Sequence, residues 1–278
     1  MLTSVIIPVR DAAHQLLYTL FSLNLQFADF EKYEVIVLDN GSTDGLAEKL
    51  AGFTAHYSLQ VVRFRRRVSL SRLFNTGIQQ AKGELLVFVA CNMMVPREFI
   101  GVHQQAHERV QDMILLGLGT RRIYSVYEPQ FSASQHTECQ KWLEQNPHIK
   151  RPHTLVKTIS LLEENQIANG QFTPIGLPCP VSQKRMSIRG KYGVKLERYR
   201  SPWTMFSTQH VSLLREDARR VGAFRVLPRI EMERDFAKRL LKIGCSFQFD
   251  EKLTLLKQER AIRKVSHKNS PPSKNRRA

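Results

Sequence analysis

Little in this 278-residue chain points to covalent or metal scaffolding. It has only four cysteines, Cys91, Cys139, Cys179 and Cys245, far apart and with no C-x-x-C pair. Neither a disulfide framework nor a zinc site is signalled, and a reducing cytoplasm fits. No apolar run approaches the ~20 residues that a membrane-spanning helix needs; the longest, over residues 85–96, is interrupted by Asn92. The first residues, MLTSVIIPV, have no basic segment ahead of a long apolar stretch, so they read as a first strand rather than a signal peptide. Acidic residues are scarce. Only 25 Asp+Glu face 42 Lys+Arg, a formal net charge of +17, which excludes an acidic or neutral surface. Internal repeats are absent.

What is present is a globular composition, 42% hydrophobic and 24% charged, long enough to bury one sizeable core or two fused halves. The charge is uneven: from residue 256 onward eight basic residues face Glu259 alone, net +7, leaving +10 for the rest. Residues 266–278, SHKNSPPSKNRRA, lack apolar periodicity and are expected to be a disordered basic tail. That tail is either simply solvated or a contact for an anionic surface. Charge alone also raises nucleic-acid binding, but no helix-turn-helix, zinc-finger or RNA-recognition aromatic pattern accompanies it, so that class is disfavoured.

Over the first 100 residues, short β-rich runs (4–9, 34–38, 59–64, 85–89) alternate with helical patterns (16–23, 46–50, 70–81). Such alternation indicates an α/β fold with a Rossmann-like, mostly parallel sheet flanked by helices. Ligands of such sheets bind beyond the carboxyl ends of the strands. Residues 121–199 are less regular, richer in His, Gln and Pro, and read as a substrate-covering insertion or a helical excursion. A helical face returns at 233–243 with Gly244 as its stop, and 246–249 reads as a last strand.

One such strand end is Val35-Ile36-Val37-Leu38 running into Asp39-Asn40-Gly41-Ser42-Thr43-Asp44. A carboxylate there can accept hydrogen bonds from a nucleobase imide or ribose hydroxyls. The bland alternative is turn chemistry, with Ser42 or Asp44 capping the next helix.

Three segments together, SVIIPVRD (4–11), VIVLDNGSTDG (35–45) and Asn75-Thr76-Gly77 followed by AKGELLVFV, resemble the N-terminal half of family 2 glycosyltransferases. The resemblance implies the GT-A fold over 1–265, with a nucleotide-binding half at 1–115 and an acceptor and catalytic half at 116–265 carrying the acceptor-side insertion. It implies a nucleotide-diphosphate sugar as donor, a UDP-sugar ahead of others, with Pro8, Arg10, Asp39 and Asn75 among the donor-binding residues. A second segment, GAFRVLPRIEMERDFAKRLLKIG (222–244), is similar to the family's acidic segment. There Glu233 best overlays the base that deprotonates the acceptor hydroxyl for inverting attack, and Asp235 is the alternative. Either acid also suits the first turns of a helix for electrostatic reasons alone.

The family's metal-binding D-x-D falls on Ala90-Cys91-Asn92, so both carboxylates are missing. Mg²⁺ and Mn²⁺ want anionic or carbonyl oxygen, and Asn92 offers a single weak ligand. No cofactor is therefore expected with certainty, and a divalent ion is doubtful. Where the family often places a metal-contacting His, this chain has Lys257, a candidate for offsetting phosphate charge or simply a surface lysine. Arg63, Arg65, Arg66, Arg67 and Arg72 are candidate phosphate or acceptor contacts, or a solvated charge run. Trp203, Gln209 and His210 are candidate acceptor-side contacts.

The expected activity is transfer of a sugar to an acceptor hydroxyl, with inversion and without a metal. The acceptor would be a glycan or polymer, with anionic character admitted by the charge, as in polysaccharide biosynthesis. The alternative is a catalytically silent GT-A domain acting as a binding module or partner subunit. The location expected is cytoplasmic, with peripheral contact to an anionic membrane admitted by the basic body.

Overall fold

The computed structural model describes residues 1–154, 156–169 and 174–261, and the tail expected over 266–278 lies outside them. The first half alternates as its apolar periodicity dictates: β1 (Thr3–Val9), α1 (Ala13–Leu23), β2 (Tyr33–Asp39), α2 (Leu46–Ala51), β3 (Ser58–Arg63), α3 (Leu70–Gln80) and β4 (Leu85–Val89). Every residue of β2 and β4 is buried, which is what an unbroken apolar strand covered on both faces requires. β1 pairs in parallel with β2 and with β4, and β2 with β3. α3 lies close on this sheet because Gly77 has no side chain. A Cβ there would come within 2.7 Å of Ile6 and 3.0 Å of Leu38.

The chain continues through β5 (Met93–Met94), α4 (Phe99–Arg109), β6 (Met113–Ile123), β7 (Val126–Tyr127), α5 (Ala133–Gln145), β8 (Ile159–Ser160), α6 (Glu164–Ala168), β9 (Leu177–Pro178) and α7 (Pro180–Tyr192). It closes with β10 (His210–Leu214), α8 (Arg215–Val221), α9 (Arg229–Lys242) and β11 (Ser246–Gln258). β10 runs antiparallel between β4 and β6, β11 is parallel to β6, and β5 sits antiparallel on the far side of β11. The strand order is β3-β2-β1-β4-β10-β6-β11-β5, with β9 added to β6.

The last strand is longer than the four residues that the sequence suggests. The polar run Asp250-Glu251-Lys252 interrupts the apolar pattern, and the structure accommodates it as a register shift between Asp250 and Thr254. The Asp250 carboxylate accepts the main-chain N–H groups of Lys252 (2.9 Å) and Leu253 (3.0 Å), satisfying donors that the ladder drops there. Beyond the shift, β11 resumes and ends beside Asn92.

Alternation along the strands sends side chains to two cores. Ile6, Leu38 and Phe88 meet Phe74, Phe224 and Phe236 on one face, while Ile7, Val37 and Val87 meet Leu16, Leu20 and Phe99 on the other. Phe224 and Phe236 stack with centroids 3.9 Å apart and 19° between planes, which fixes the middle of α9 and the loop before it against the sheet. Truncating Phe236, which is fully buried, would cost about 3–5 kcal/mol. The irregular middle has its own core around Trp142, Tyr124 and Phe131. There Arg122 donates to both oxygens of Glu138 (2.9 and 2.5 Å) and Tyr124 Oη–H to one of them (2.7 Å). No helix among the described residues is long and apolar enough to cross a membrane.

Candidate functional site

The carboxyl ends of β1, β2 and β4 open onto a cleft of about 300 Å³. Pro8 lines it from β1, Arg10 from just after β1, Asn40 from just after β2, and Asn92 from the segment after β4. Thr208 and Gln209 close one wall, and the arginines Arg229 and Arg260 face it from α9 and from just beyond β11. Among the described residues that line the cleft, none is acidic and three are arginines.

The β2 turn is held by its own acids. Asp39 is buried; its Oδ1 accepts the N–H of Ser42 (2.8 Å) and its Oδ2 lies 3.4 Å from Arg63 Nε. Ser42 Oγ accepts the N–H of Asp11 (3.0 Å), and Asp44 accepts the N–H of Ala13 (2.8 Å). These side chains therefore reach across to the start of α1, whereas α2 begins on Gly45 with no side-chain cap. The positive φ of Gly41 (70°) and Gly45 (78°) lets the chain turn that tightly. Asn40, next to Asp39, exchanges two hydrogen bonds with the backbone of Val68 (2.7 and 3.1 Å), pinning the arginine-rich loop to the cleft.

At the position of the expected D-x-D, every member of Ala90-Cys91-Asn92 has a structural bond. Ala90 N–H donates to Gln209 O (3.0 Å), Cys91 O accepts from Thr19 Oγ1 (2.8 Å), and the Asn92 amide donates to Gln258 O (2.7 Å). The family implies a divalent ion here, but the donor set does not fit one. The lining offers no carboxylate, and among the described residues no group of three His, Cys, Asp or Glu could hold a metal. Lys257 lies opposite Met93 in the β5–β11 pairing and does not line the cleft. Arg260, three residues on, does. Its Nη2 donates to the carbonyl of Asp11 (2.5 Å). No motif marks Arg260; the only signal available was another basic residue shortly after the same strand.

Glu233 sits directly behind the lining. Its Oε1 accepts the N–H of Thr208 (2.9 Å), the hydroxyl of Thr208 (2.5 Å) and Nε of Arg229 (3.3 Å). The Arg229–Glu233 pair is the i,i+4 spacing that a helix turn brings together. Arg185 Nη2 donates to Met205 O (2.8 Å). Burial lowers the Arg185 guanidinium to about 10, against the opposing charge of Glu233. Asp235 points elsewhere, to Arg225 (3.1 Å) and Arg239 (3.0 Å), and Arg239 in turn donates to the carbonyl of Ala223. That acid therefore ties α9 to the loop before it.

The remaining candidates divide. Gln209 is on the wall of the cleft, but His210, one residue on, is buried among His103, His107 and Ser212. His103 Nε2 and His210 Nε2 are 3.2 Å apart, and Ser212 Oγ is 2.8 Å from both His103 Nδ1 and His107 Nε2. Trp203 is half-buried, with Lys238 Nζ 5.5 Å from its ring centroid. Asn75 exchanges hydrogen bonds with the backbone of Phe224 (2.7 and 3.0 Å), joining α3 to the loop that precedes α9. Arg65, Arg66, Arg67 and Arg72 are exposed.

Comparison with known proteins gives the family and the fold. Residues 4–162 match the glycosyl transferase family 2 model. Over 263 residues the chain is 30% identical to the uncharacterized glycosyltransferase YfnE of Bacillus subtilis (strain 168), covering 93% of this chain and 65% of that protein. Over 87 residues it is 38% identical to the glycosyltransferase AglE of Haloferax volcanii, covering 31% and 29% respectively. The chain thus spans less than two thirds of the length of these curated relatives. Among solved structures, S. aureus TarS 1–349 in complex with UDP-GlcNAc superposes with a TM-score of 0.61 at 15% identity, over 94% of this chain and 59% of that one. Mannosyltransferase PcManGT from Pyrobaculum calidifontis, in complex with GDP-Man and Mn²⁺, superposes with a TM-score of 0.57 at 16% identity, over 95% and 58%. The sheet and its flanking helices are a GT-A fold, and the chain belongs to glycosyl transferase family 2.

Proposed function

We propose that the protein transfers a sugar from a nucleotide-diphosphate donor, a UDP-sugar first, to an acceptor hydroxyl with inversion. In this reading arginines, not a divalent ion, balance the diphosphate. The carrying observation is the cleft that presents Arg10, Arg229 and Arg260 and no carboxylate. Guanidinium forks match phosphate oxygens in charge and geometry, and their charge does not depend on a bound ion. The complexes of TarS with UDP-GlcNAc and of PcManGT with GDP-Man support a nucleotide sugar as ligand.

Asp39 and Asn40 would bound the nucleoside end and the arginines the diphosphate. Glu233 would act as base. As the acceptor oxygen attacks the anomeric carbon from the face opposite the diphosphate, its proton passes to the Glu233 carboxylate. The bond from the anomeric carbon to the phosphate oxygen breaks, and the charge left on that oxygen meets the guanidinium of Arg260.

A second reading is a domain that binds nucleotide sugar without turnover. It is favoured by the three donors already on Glu233 Oε1, which occupy the positions through which that oxygen would meet an acceptor hydroxyl. Assaying transfer and hydrolysis with a panel of nucleotide sugars, with chelator and with added Mn²⁺, separates the readings. Turnover indifferent to chelator supports the arginine mechanism. Binding without turnover supports the silent domain, and turnover that requires Mn²⁺ overturns the role given to the arginines.

A further inference from the structure

The loop between α8 and α9, with the first turn of α9, carries apolar side chains that the fold leaves exposed. Val226 is 79% exposed, Leu227 43% and Ile230 58%. They stand among exposed arginines, with Arg225 on one side and Arg229 on the other, and with Glu231 as the neighbouring acid. The fold fixes this loop in place, since Phe224 is buried against Phe74 and bonded through its backbone to Asn75. Across the same cleft, which Leu70 and Arg229 both line, is the loop pinned by Asn40. It presents Arg65, Arg66 and Arg67, with Arg72 following on α3. Arg63 is used by Asp39, but among the described residues no carboxylate pairs with Arg65, Arg66, Arg67 or Arg72. The cleft therefore opens between an apolar tip and an unneutralised cationic collar.

We infer that this rim docks the protein on an anionic phospholipid surface, with Val226, Leu227 and Ile230 entering the interface and Arg65, Arg66, Arg67 and Arg72 meeting the headgroups. Membrane-surface binding combines apolar side chains placed at the boundary of the acyl region with attraction between basic residues and anionic lipid. The combination distinguishes a membrane from a soluble polyanion, which would use the arginines and leave the apolar tip in water. Exposed apolar groups clustered at a site mouth are the kind of patch that marks an interaction surface.

The test is co-sedimentation of the full chain with phosphatidylcholine vesicles, with and without phosphatidylglycerol, at low and physiological salt. The expected result is binding that needs the anionic lipid. Joint replacement Val226→Ser and Leu227→Ser should weaken it on the order of tenfold while leaving the fold intact, since both side chains are exposed and neither belongs to a buried core. Equal binding by this variant would assign attachment to charge elsewhere in the chain and overturn the proposal. Independently, emission of a Val226→Trp variant should be quenched by lipids brominated near the headgroup, and no quenching on bound vesicles would overturn it. Retention by a soluble polyanion with no vesicle binding by the unmodified chain would overturn it too.

Discussion

The side-chain amide of Asn92 donates to the main-chain carbonyl of Gln258 at 2.7 Å, and the N–H of Gln258 returns a bond to Asn92 O at 2.8 Å. The position on which the family resemblance places a metal-binding acid is here part of the seam that closes β11 onto the segment after β4. Replacing Asn92 by Asp removes the donor and sets a carboxylate against a carbonyl. The Asn92→Asp variant should lose about 1–3 kcal/mol of stability, read as a melting point several degrees lower. It should not acquire Mn²⁺-dependent binding, because no second carboxylate lines the cleft.

Nucleotide binding by the unmodified chain should be indifferent to metal. In titration calorimetry with UDP and UDP-sugars, chelator is expected to change affinity by less than about twofold, because the arginine charges persist without an ion. An affinity that appears only with added Mg²⁺ or Mn²⁺ would overturn the assignment of the cleft arginines.

Arg260 and Lys257 offer a direct contrast. Arg260 lines the cleft and is braced by the carbonyl of Asp11, whereas Lys257 lies outside the lining. A charge-assisted bond to phosphate contributes about 1.5–3 kcal/mol, so Arg260→Gln should weaken UDP binding roughly 10- to 100-fold. Lys257→Gln should change it by less than about threefold. Equal losses in both variants would mean that the segment after β11 rearranges when the donor binds.

The contrast also shows what the sequence made legible. Strands β1, β2 and β4 could be read from apolar runs because burial on both faces leaves few polar residues in them, and the half-exposed β3 from its shorter apolar run. The turn after β2 could be read from Asp-Asn-Gly-Ser, since tight turns draw on few residue types. Glu233 was visible only through the likeness of residues 222–244 to the family's acidic segment, which left Asp235 as an alternative. Arg260 and Thr208 were not, because a cleft wall is assembled from segments about 200 residues apart and no local pattern records which side chain faces inward. His210 shows the same limit from the other side. Beside the cleft residue Gln209 it looks polar and available, yet strand alternation turns it into the core.

The two acids of α9 should separate on substitution. Glu233→Gln keeps an acceptor for Thr208 but cannot take a proton, so kcat should fall roughly 10²- to 10⁴-fold while the donor's KM changes little. Asp235→Asn breaks the ties to Arg225 and Arg239, and should lower the melting temperature with far less effect on kcat. Loss of turnover in the Asp235→Asn variant alone, at unchanged stability, would transfer the role of base to that residue.

Acid should unfold this protein through its buried histidines. Burial, with the charges of His210 and His107, holds His103 well below the ordinary histidine value. Burial lowers His107 to about 4, and burial with the charge of Arg185 lowers His210 to about 3. In the unfolded chain all three titrate near 6.5, so below that pH the unfolded state binds more protons and stability falls. The loss should begin as pH drops through about 6.5 and continue toward about 4, on the order of 1 kcal/mol per pH unit for each histidine. Asp217 and Asp250, whose carboxyls burial pushes up, act in the opposite direction only at the acid end of that window. Ser212 can donate its one proton to His103 or to His107 and accept from the other, so the chain of bonds from His107 to His210 has a single direction at a time. Ser212→Ala leaves a ring nitrogen on each of these two histidines without its partner, at about 1–3 kcal/mol apiece. Urea unfolding followed from pH 8 to pH 4 should therefore show a lower midpoint for Ser212→Ala at every pH, above a slope like that of the unmodified chain. A flat profile between pH 6.5 and 5 in the unmodified chain would show that the histidines are not held neutral.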